Sequence, residues 1–323
     1  MDGLIMNLNF DNVQLVPRRC IVKSRKDCDT TVFLGKRVFR LPVIPANMKS
    51  VVNRDICSKL AFNNYMYINH RFYDNTNDIK KYLTEQMNNA VLTKYMASIS
   101  IGIGDKDIKL LQELRDIRVS PEYITIDVAH AYSEEVRAMI HRVSSMFPDA
   151  FLIVGNICTR EAAEYMNHLP IDCIKVGIAT GKICTTREKT GFGSYGWQLS
   201  AIKECAEISK FPIIADGGIR NTGDIVKCLV FGATMVMAGN IFAGCVDSPC
   251  MKNDEGLYYG SASKHNNKKD NIEGTSTVVE SNGLTILEKM DEIKQDLQSA
   301  ISYAGGKNLS TFKTVDYRII SNG

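Results

Sequence analysis

Lys175-Val176-Gly177-Ile178-Ala179-Thr180-Gly181-Lys182-Ile183-Cys184-Thr185-Thr186-Arg187-Glu188-Lys189-Thr190-Gly191-Phe192-Gly193 leads from an apolar, β-branched run that begins at Cys173 into a glycine-punctuated loop carrying a single cysteine. The run reads as a buried strand. Glycine lets the loop backbone turn through positive φ or approach a ligand closely. The sulfur therefore sits where a nucleophile is offered to a substrate, with two threonine hydroxyls and Arg187 as polar neighbours. The attacking species is the thiolate, which cations and hydrogen-bond donors favour. The other nine cysteines, Cys20, Cys28, Cys57, Cys158, Cys173, Cys205, Cys228, Cys245 and Cys250, lack such a context and read as small buried hydrophobes.

Working outward from this loop, the same pattern of apolar strand followed by polar or glycine-rich turn recurs. Eight such runs are spaced at intervals of roughly 20 to 40 residues by helix-like mixtures: Leu41 to Pro45, Tyr65 to Asn69, Ala97 to Ile101, Tyr123 to Val128, Phe151 to Val154, Cys173 to Ile178, Pro212 to Ala215 and Thr234 to Ala238. Continuous apolar strands between helices indicate a parallel sheet. Eight of them predict an α/β protein of the (β/α)8 barrel type, a doubly wound sheet being the alternative. The residues just after the strands favour the barrel. Asn47, His70-Arg71, Asp127, Gly155-Asn156, Gly177 to Cys184, Asp216-Gly217-Gly218 and Gly239-Asn240 all fall there, and strands closed into a ring bring such turns to one face. Loops after the last two strands of this fold commonly bind phosphate. The backbone N–H groups around Gly217, Gly218, Gly239 and Asn240 are thus the expected phosphate cradle, with Asp216 placed to accept from ribose hydroxyls. Their spacing is not that of a Gly-x-Gly-x-x-Gly dinucleotide fingerprint.

The chain has 323 residues, 45% of them hydrophobic, and reads as one domain: residues 1–37 form an amino-terminal extension, and Lys252 to Asn282 a polar stretch long enough to be either a flap or a solvated loop. A formal charge of +3, from 39 basic and 36 acidic residues, gives no bias toward nucleic acid or a membrane surface. Met1 to Phe10 shows no sustained apolar run, so a cytoplasmic protein with reduced thiols is expected. No Cys-x-x-Cys pair suggests zinc or a redox couple.

Many separate motifs in order give a resemblance that spans nearly the whole chain. They are Phe10 to Leu15, Lys23-Ser24-Arg25, Pro45-Ala46-Asn47-Met48, Ile124 to His130, the cysteine loop, Ala215 to Gly218, Tyr259-Gly260-Ser261-Ala262-Ser263, Glu273-Gly274 and Ser302 to Gly306. The chain resembles the family of inosine monophosphate (IMP) dehydrogenases and guanosine monophosphate (GMP) reductases. It is most similar to bacterial-type reductases, which carry His-Arg-Phe and Gly-Trp-Gln where this chain has His70-Arg71-Phe72 and Gly196-Trp197-Gln198. Two absences point to reduction: no regulatory insertion fits between His70 and Met96, and Ser263 to Glu273 holds neither the Arg nor the Tyr that activates water in the dehydrogenases. The resemblance implies NADPH-dependent deamination of GMP to IMP through a covalent adduct on Cys184, with Thr186 and Glu273 as the proton-transfer pair. IMP oxidation with NAD, and a weakened purine-nucleotide binder, are the competing readings.

By the same resemblance Gly260, Ser261, Ala262 and Gly274 join Asp216, Gly217, Gly218, Gly239 and Asn240 in holding the nucleotide. Asp127, Val128, Ala129, Ile178, Ala179 and Arg71 would meet the cofactor. Ser24, Arg25, Tyr303 and Gly305 would reach it from a neighbouring subunit of a homotetramer. Carbonyls of Ala179, Gly181 and Cys184 would hold potassium. Two segments depart from the family pattern: Gly177-Ile178-Ala179-Thr180-Gly181 stands for its Gly-Ile-Gly-Pro-Gly, and Ala129-His130-Ala131 for its Ala-His-Gly. A positive φ at position 179 would cost alanine energy that glycine does not spend.

Overall fold

The computed structural model describes residues 7–73, 75–88, 96–181, 183–253, 256–266 and 273–320. The first six residues of the amino-terminal extension, Lys182 in the cysteine loop, and residues 254–255 and 267–272 of the expected flap lie outside the described residues. Strands β1 (Val13–Leu15), β2 (Val32–Leu34) and β3 (Arg37–Phe39) precede the main sheet. That sheet has β4 (Val43–Pro45), β5 (Ser98–Ile101), β6 (Tyr123–Asp127), β7 (Phe151–Ile157), β8 (Cys173–Val176), β9 (Ile213–Asp216) and β10 (Met235–Ala238). Their order is β4-β10-β9-β8-β7-β6-β5, every pairing being parallel. The pairing of β10 with both β9 and β4 returns the last strand to the first, which curls the sheet into the barrel arrangement.

The second of the eight expected strands, Tyr65 to Asn69, contributes one bridge instead of a ladder. Only Asn69 pairs, with Ile99 of β5, its N–H donating to Ser98 O at 3.2 Å and its carbonyl accepting from Ser100 N–H at 3.0 Å. At its start the backbone is spent elsewhere: Tyr65 N–H donates to Leu60 O, and the carbonyl of Asn64 just before it accepts from Arg40 N–H.

Helices alternate with these strands: α1 (Arg54–Phe62), α2 (Thr76–Asn88), α3 (Asp105–Asp116), α4 (Glu134–Met146), α5 (Arg160–Met166), α6 (Thr186–Thr190), α7 (Gln198–Ile208) and α8 (Thr222–Val230). Local sequence sets where they begin. Asn53, Ser133, Thr159 and Asn221 each accept a backbone N–H at a helix start, a cap contributing about 1 kcal/mol. Helix α4 then buries Val136, Met139, Ile140 and Val143, the i, i+3, i+4, i+7 stripe of an amphipathic helix. Beyond β10 come α9 (Asn240–Ala243), α10 (Pro249–Asn253), the antiparallel pair β11 (Leu257–Tyr259) and β12 (Ser276–Val278), α11 (Ile286–Tyr303) and β13 (Tyr317–Ile319), which pairs with β1. Among the described residues no helix is long and apolar enough to cross a membrane.

The β2–β3 hairpin packs at the amino ends of the strands: Tyr123, first residue of β6, donates its hydroxyl to Leu34 O at 2.8 Å, and Arg37 meets Glu122 at 2.6 Å. The carboxyl ends face the opposite way, and there the loops are left to form a site.

Candidate active site

A cavity of about 280 Å³ opens at the carboxyl ends of the strands. Its wall includes Cys184 and Thr186, and Glu273 and Gly274 from the segment before β12. The cysteine loop and that segment are joined by backbone: Cys184 bridges Gly274, Thr185 N–H donates to Glu273 O at 2.9 Å, and Thr275 N–H to Ile183 O at 2.9 Å. These bonds bring together two segments about ninety residues apart in sequence. The Cys184 thiol donates to Thr186 Oγ1 at 3.3 Å, and the Thr186 hydroxyl donates to Glu273 Oε2 at 2.6 Å. A proton path therefore runs from sulfur to carboxylate. The Arg187 guanidinium lies 3.7 Å from the centre of the Tyr195 ring.

Of the other expected nucleotide-holding residues, Asp216, Gly217, Gly239, Gly260, Ser261 and Ala262 line the cavity. Gly218 and Asn240 do not; Asn240 faces a neighbouring crevice with Arg220. Gly239 has a steric reason to be glycine, since a Cβ there would lie 2.2 Å from the Tyr258 hydroxyl, and Tyr258 is itself part of the wall. On the other side Arg71, Asp127, Val128, Ala129, Ile178, Ala179 and Gly181 line the cavity. Ala179 has φ +55°, in the left-handed region. Ser24, Arg25, Tyr303 and Gly305 line no part of it. They gather elsewhere: Arg25 donates to Ser299 at 3.2 Å and lies 5.5 Å from the Tyr303 ring centre.

Beneath the cavity is a charged group that the sequence reading left without a role. Lys175, third residue of β8 and 1% exposed, places Nζ 2.6 Å from Asp127 Oδ1 and 3.0 Å from Asp216 Oδ2. Asn47 donates to Asp127 Oδ2 at 2.9 Å, and Asn156 to Asp216 Oδ2 at 2.8 Å. Burial alone would raise the Asp127 pKa, but the charges of Lys175 and Arg71 outweigh it and hold the carboxyl below its ordinary value. Burial likewise works against the Lys175 ammonium, and the two aspartates reverse it, raising its pKa. The signal in the sequence was a lysine inside an apolar strand, with strands ending in aspartate two places before it and one place after it in chain order.

None of the ten cysteines forms a disulfide among the described residues. Seven of the nine expected to be buried are so; Cys158 is half-buried and Cys20 is exposed, a correction whose cause is its position in the extended run before β2, outside the packed layers.

Residues 7–322 match the family model described as "IMP dehydrogenase / GMP reductase domain". Among curated relatives, the chain is 46% identical to a GMP reductase of Shouchella clausii strain KSM-K16, over 97% of this chain and 95% of the relative. It is 44% identical to GMP reductases of Bacillus anthracis and Helicobacter pylori strain G27, over 97% of this chain and 96% of each relative.

Proposed function

The chain belongs to the IMP dehydrogenase and GMP reductase family, and from that premise we propose that it converts GMP to IMP with NADPH, releasing ammonia. The observation that carries the reading is the path from Cys184 Sγ through Thr186 Oγ1 to Glu273 Oε2 on the wall of the cavity. As the sulfur bonds to C2 of the guanine, its proton passes to Thr186, whose own proton passes to Glu273. Reversal of that relay delivers the proton to the exocyclic nitrogen; the C2–N bond then breaks with its electron pair on nitrogen, ammonia leaves, the C2–N3 double bond opened by the attack reforms, and the C2–S bond remains. NADPH, when bound, supplies a hydride to C2. Breaking of the C2–S bond then returns the electron pair to Cys184 and frees IMP. The residues fit such a cofactor: Val128 and Ile178 give the cavity an apolar face beside Asp127, and Arg71 Nε is buried without a hydrogen-bond partner among the described residues.

On the nucleotide side, the hydroxyls of the ribose meet Asp216, and the phosphate meets the backbone of Gly217 and Gly239. Ser24, Arg25, Tyr303 and Gly305 serve the far end of the cofactor in a neighbouring subunit, the assembly being a homotetramer of single-domain barrels in the cytoplasm. A potassium ion on the carbonyls of Ala179, Gly181 and Cys184 belongs to the same reading. Gly181 O already accepts from Cys184 N–H at 3.1 Å, and its second lone pair stays available. The deciding experiment follows absorbance at the reduced nicotinamide band: GMP should drive loss of NADPH, with potassium tested against lithium. Reduction of NAD by IMP without NADPH oxidation by GMP would assign the chain to the other branch of the family.

A further inference from the structure

Lys175 touches both halves of the site. It sits on β8 between two carboxylates, Asp127 at the end of β6 on the cofactor side and Asp216 at the end of β9 on the ribose side, at 2.6 and 3.0 Å. Its place in the sheet is prepared. Gly155 on β7 pairs with Lys175, and a Cβ at Gly155 would lie 2.3 Å from Lys175 Cβ, so that only glycine lets the lysine stem pass. Each carboxylate is held at a second point, Asp127 Oδ2 by Asn47 and Asp216 Oδ2 by Asn156, which also donates to Gly177 O at 2.6 Å. Asp216 Oδ1 has no protein hydrogen bond among the described residues, and Asp216 lines the cavity. The other charged or titratable groups around this cluster are Arg71 beside Asp127, Cys173 on β8 and Tyr258 from β11 near Asp216.

A buried ammonium is tolerated only when paired, and taking away one partner of a buried ion group leaves the others uncompensated. Without Lys175, two carboxylates within reach of one nitrogen would face each other. We propose that Lys175 is a positioning residue that ties the ribose-binding carboxylate to the cofactor-side carboxylate, each being aimed at its ligand through its bond to this one nitrogen. The inference rests on the reading of Asp216 as the ribose acceptor and Asp127 as a cofactor contact. It predicts coupling: disturbance on one side is felt on the other.

The test is a cycle of Lys175→Met, Asp127→Asn and the double variant, with IMP binding measured calorimetrically without cofactor. Lys175→Met should weaken IMP by about tenfold or more, although no bond from Lys175 to the nucleotide is invoked. In the Asp127→Asn background, where the opposed carboxylate is gone, the same change should weaken IMP by no more than about threefold. Equal losses in both backgrounds would mean that Lys175 only fills space, and would overturn the proposal. If Lys175→Met alone fails to fold, a folded, IMP-binding double variant supports the proposal and an unfolded one overturns it. Failure of the unsubstituted protein to bind IMP would instead remove the reading of the site on which the inference stands.

Discussion

Cys184 differs from Cys158, Cys205 and Cys245 in the chemistry open to it. Burial pushes the thiols of Cys158 and Cys245 up to about 11 and that of Cys205 to about 12, so these remain protonated at neutral pH. Cys184 is half-buried at the cavity wall, with a hydroxyl ready to take its proton. Cys184→Ala should lower GMP turnover by at least about a thousandfold while IMP binding changes by no more than about threefold, because the nucleotide is held by other groups. Turnover above a few per cent in a steady-state assay would exclude the nucleophile role. Ala179 poses a different residue-scale question, being buried at φ +55°. The left-handed conformation costs alanine about 1–2 kcal/mol. Against this, the methyl contributes about 0.8 kcal/mol of burial, and alanine spares the unfolded-chain entropy of glycine, about 0.4–1 kcal/mol. The terms nearly cancel, which explains how alanine is accommodated. Ala179→Gly should therefore leave the melting temperature within roughly 2 °C. Ala179→Val should cost about 2–4 kcal/mol, since a branched side chain at this φ would also crowd Gly193, whose own Cβ would lie 2.8 Å from that of Ala179. A valine variant as stable as the parent in denaturant titration would show that the loop relaxes to ordinary φ.

At the scale of elements, the parallel strands were legible because each is buried on both faces and so reads as an unbroken apolar run, as in Ile213-Ile214-Ala215. Loop chemistry after the strands marked the end of the sheet that carries the cavity. Tyr65 to Asn69 read equally well as a strand, since Tyr, Met and Ile satisfy the same pattern, but pairing depends on partners that composition does not specify. Lys175 escaped notice for a related reason: a charge inside a strand is meaningful only when the carboxylates of β6 and β9 are known to face it. The joining of the cysteine loop to the segment before β12 is likewise a contact between distant parts of the chain, reached in the sequence only through family resemblance. That contact carries a prediction for Glu273, which accepts from Thr186 at 2.6 Å. Glutamine keeps an acceptor for the threonine hydroxyl but cannot carry a proton. Glu273→Gln should lower GMP deamination by about 10²–10⁴-fold. Hydride exchange between IMP and oxidised cofactor, which needs no departing amine, should fall by no more than about threefold. Equal losses in both assays would make Glu273 an anchor of the flap; no loss in either would remove it from the mechanism.

The whole molecule presents a group of residues with no cavity of substrate chemistry beside them. Ser24 caps a short helix in which Arg25 lies over the Tyr303 ring, and Tyr303 lines a separate cavity of about 360 Å³ with Leu15, Pro17 and Ala304. None of these residues borders the cavity of Cys184. In a symmetric oligomer, a surface that is remote within one subunit can adjoin the active site of the next, because one interface repeated around the axis pairs unlike patches. Arg25 would there meet the 2′-phosphate of the cofactor, for which a guanidinium offers paired donors. Arg25→Glu should accordingly raise the KM for NADPH by about tenfold or more and leave the KM for GMP within about twofold. Subunit mixing then separates sharing from a defect within one chain. Cys184→Ala subunits supply an intact Arg25 but no nucleophile, and Arg25→Glu subunits the reverse. If the two residues serve one site from different subunits, random assembly of equal amounts leaves about a quarter of the sites with both intact. Assayed at NADPH concentrations too low for Arg25→Glu alone, the mixture should recover about that fraction of parental activity. Activity no greater than the average of the separate preparations would show that Cys184 and Arg25 act, if they act together at all, within one subunit.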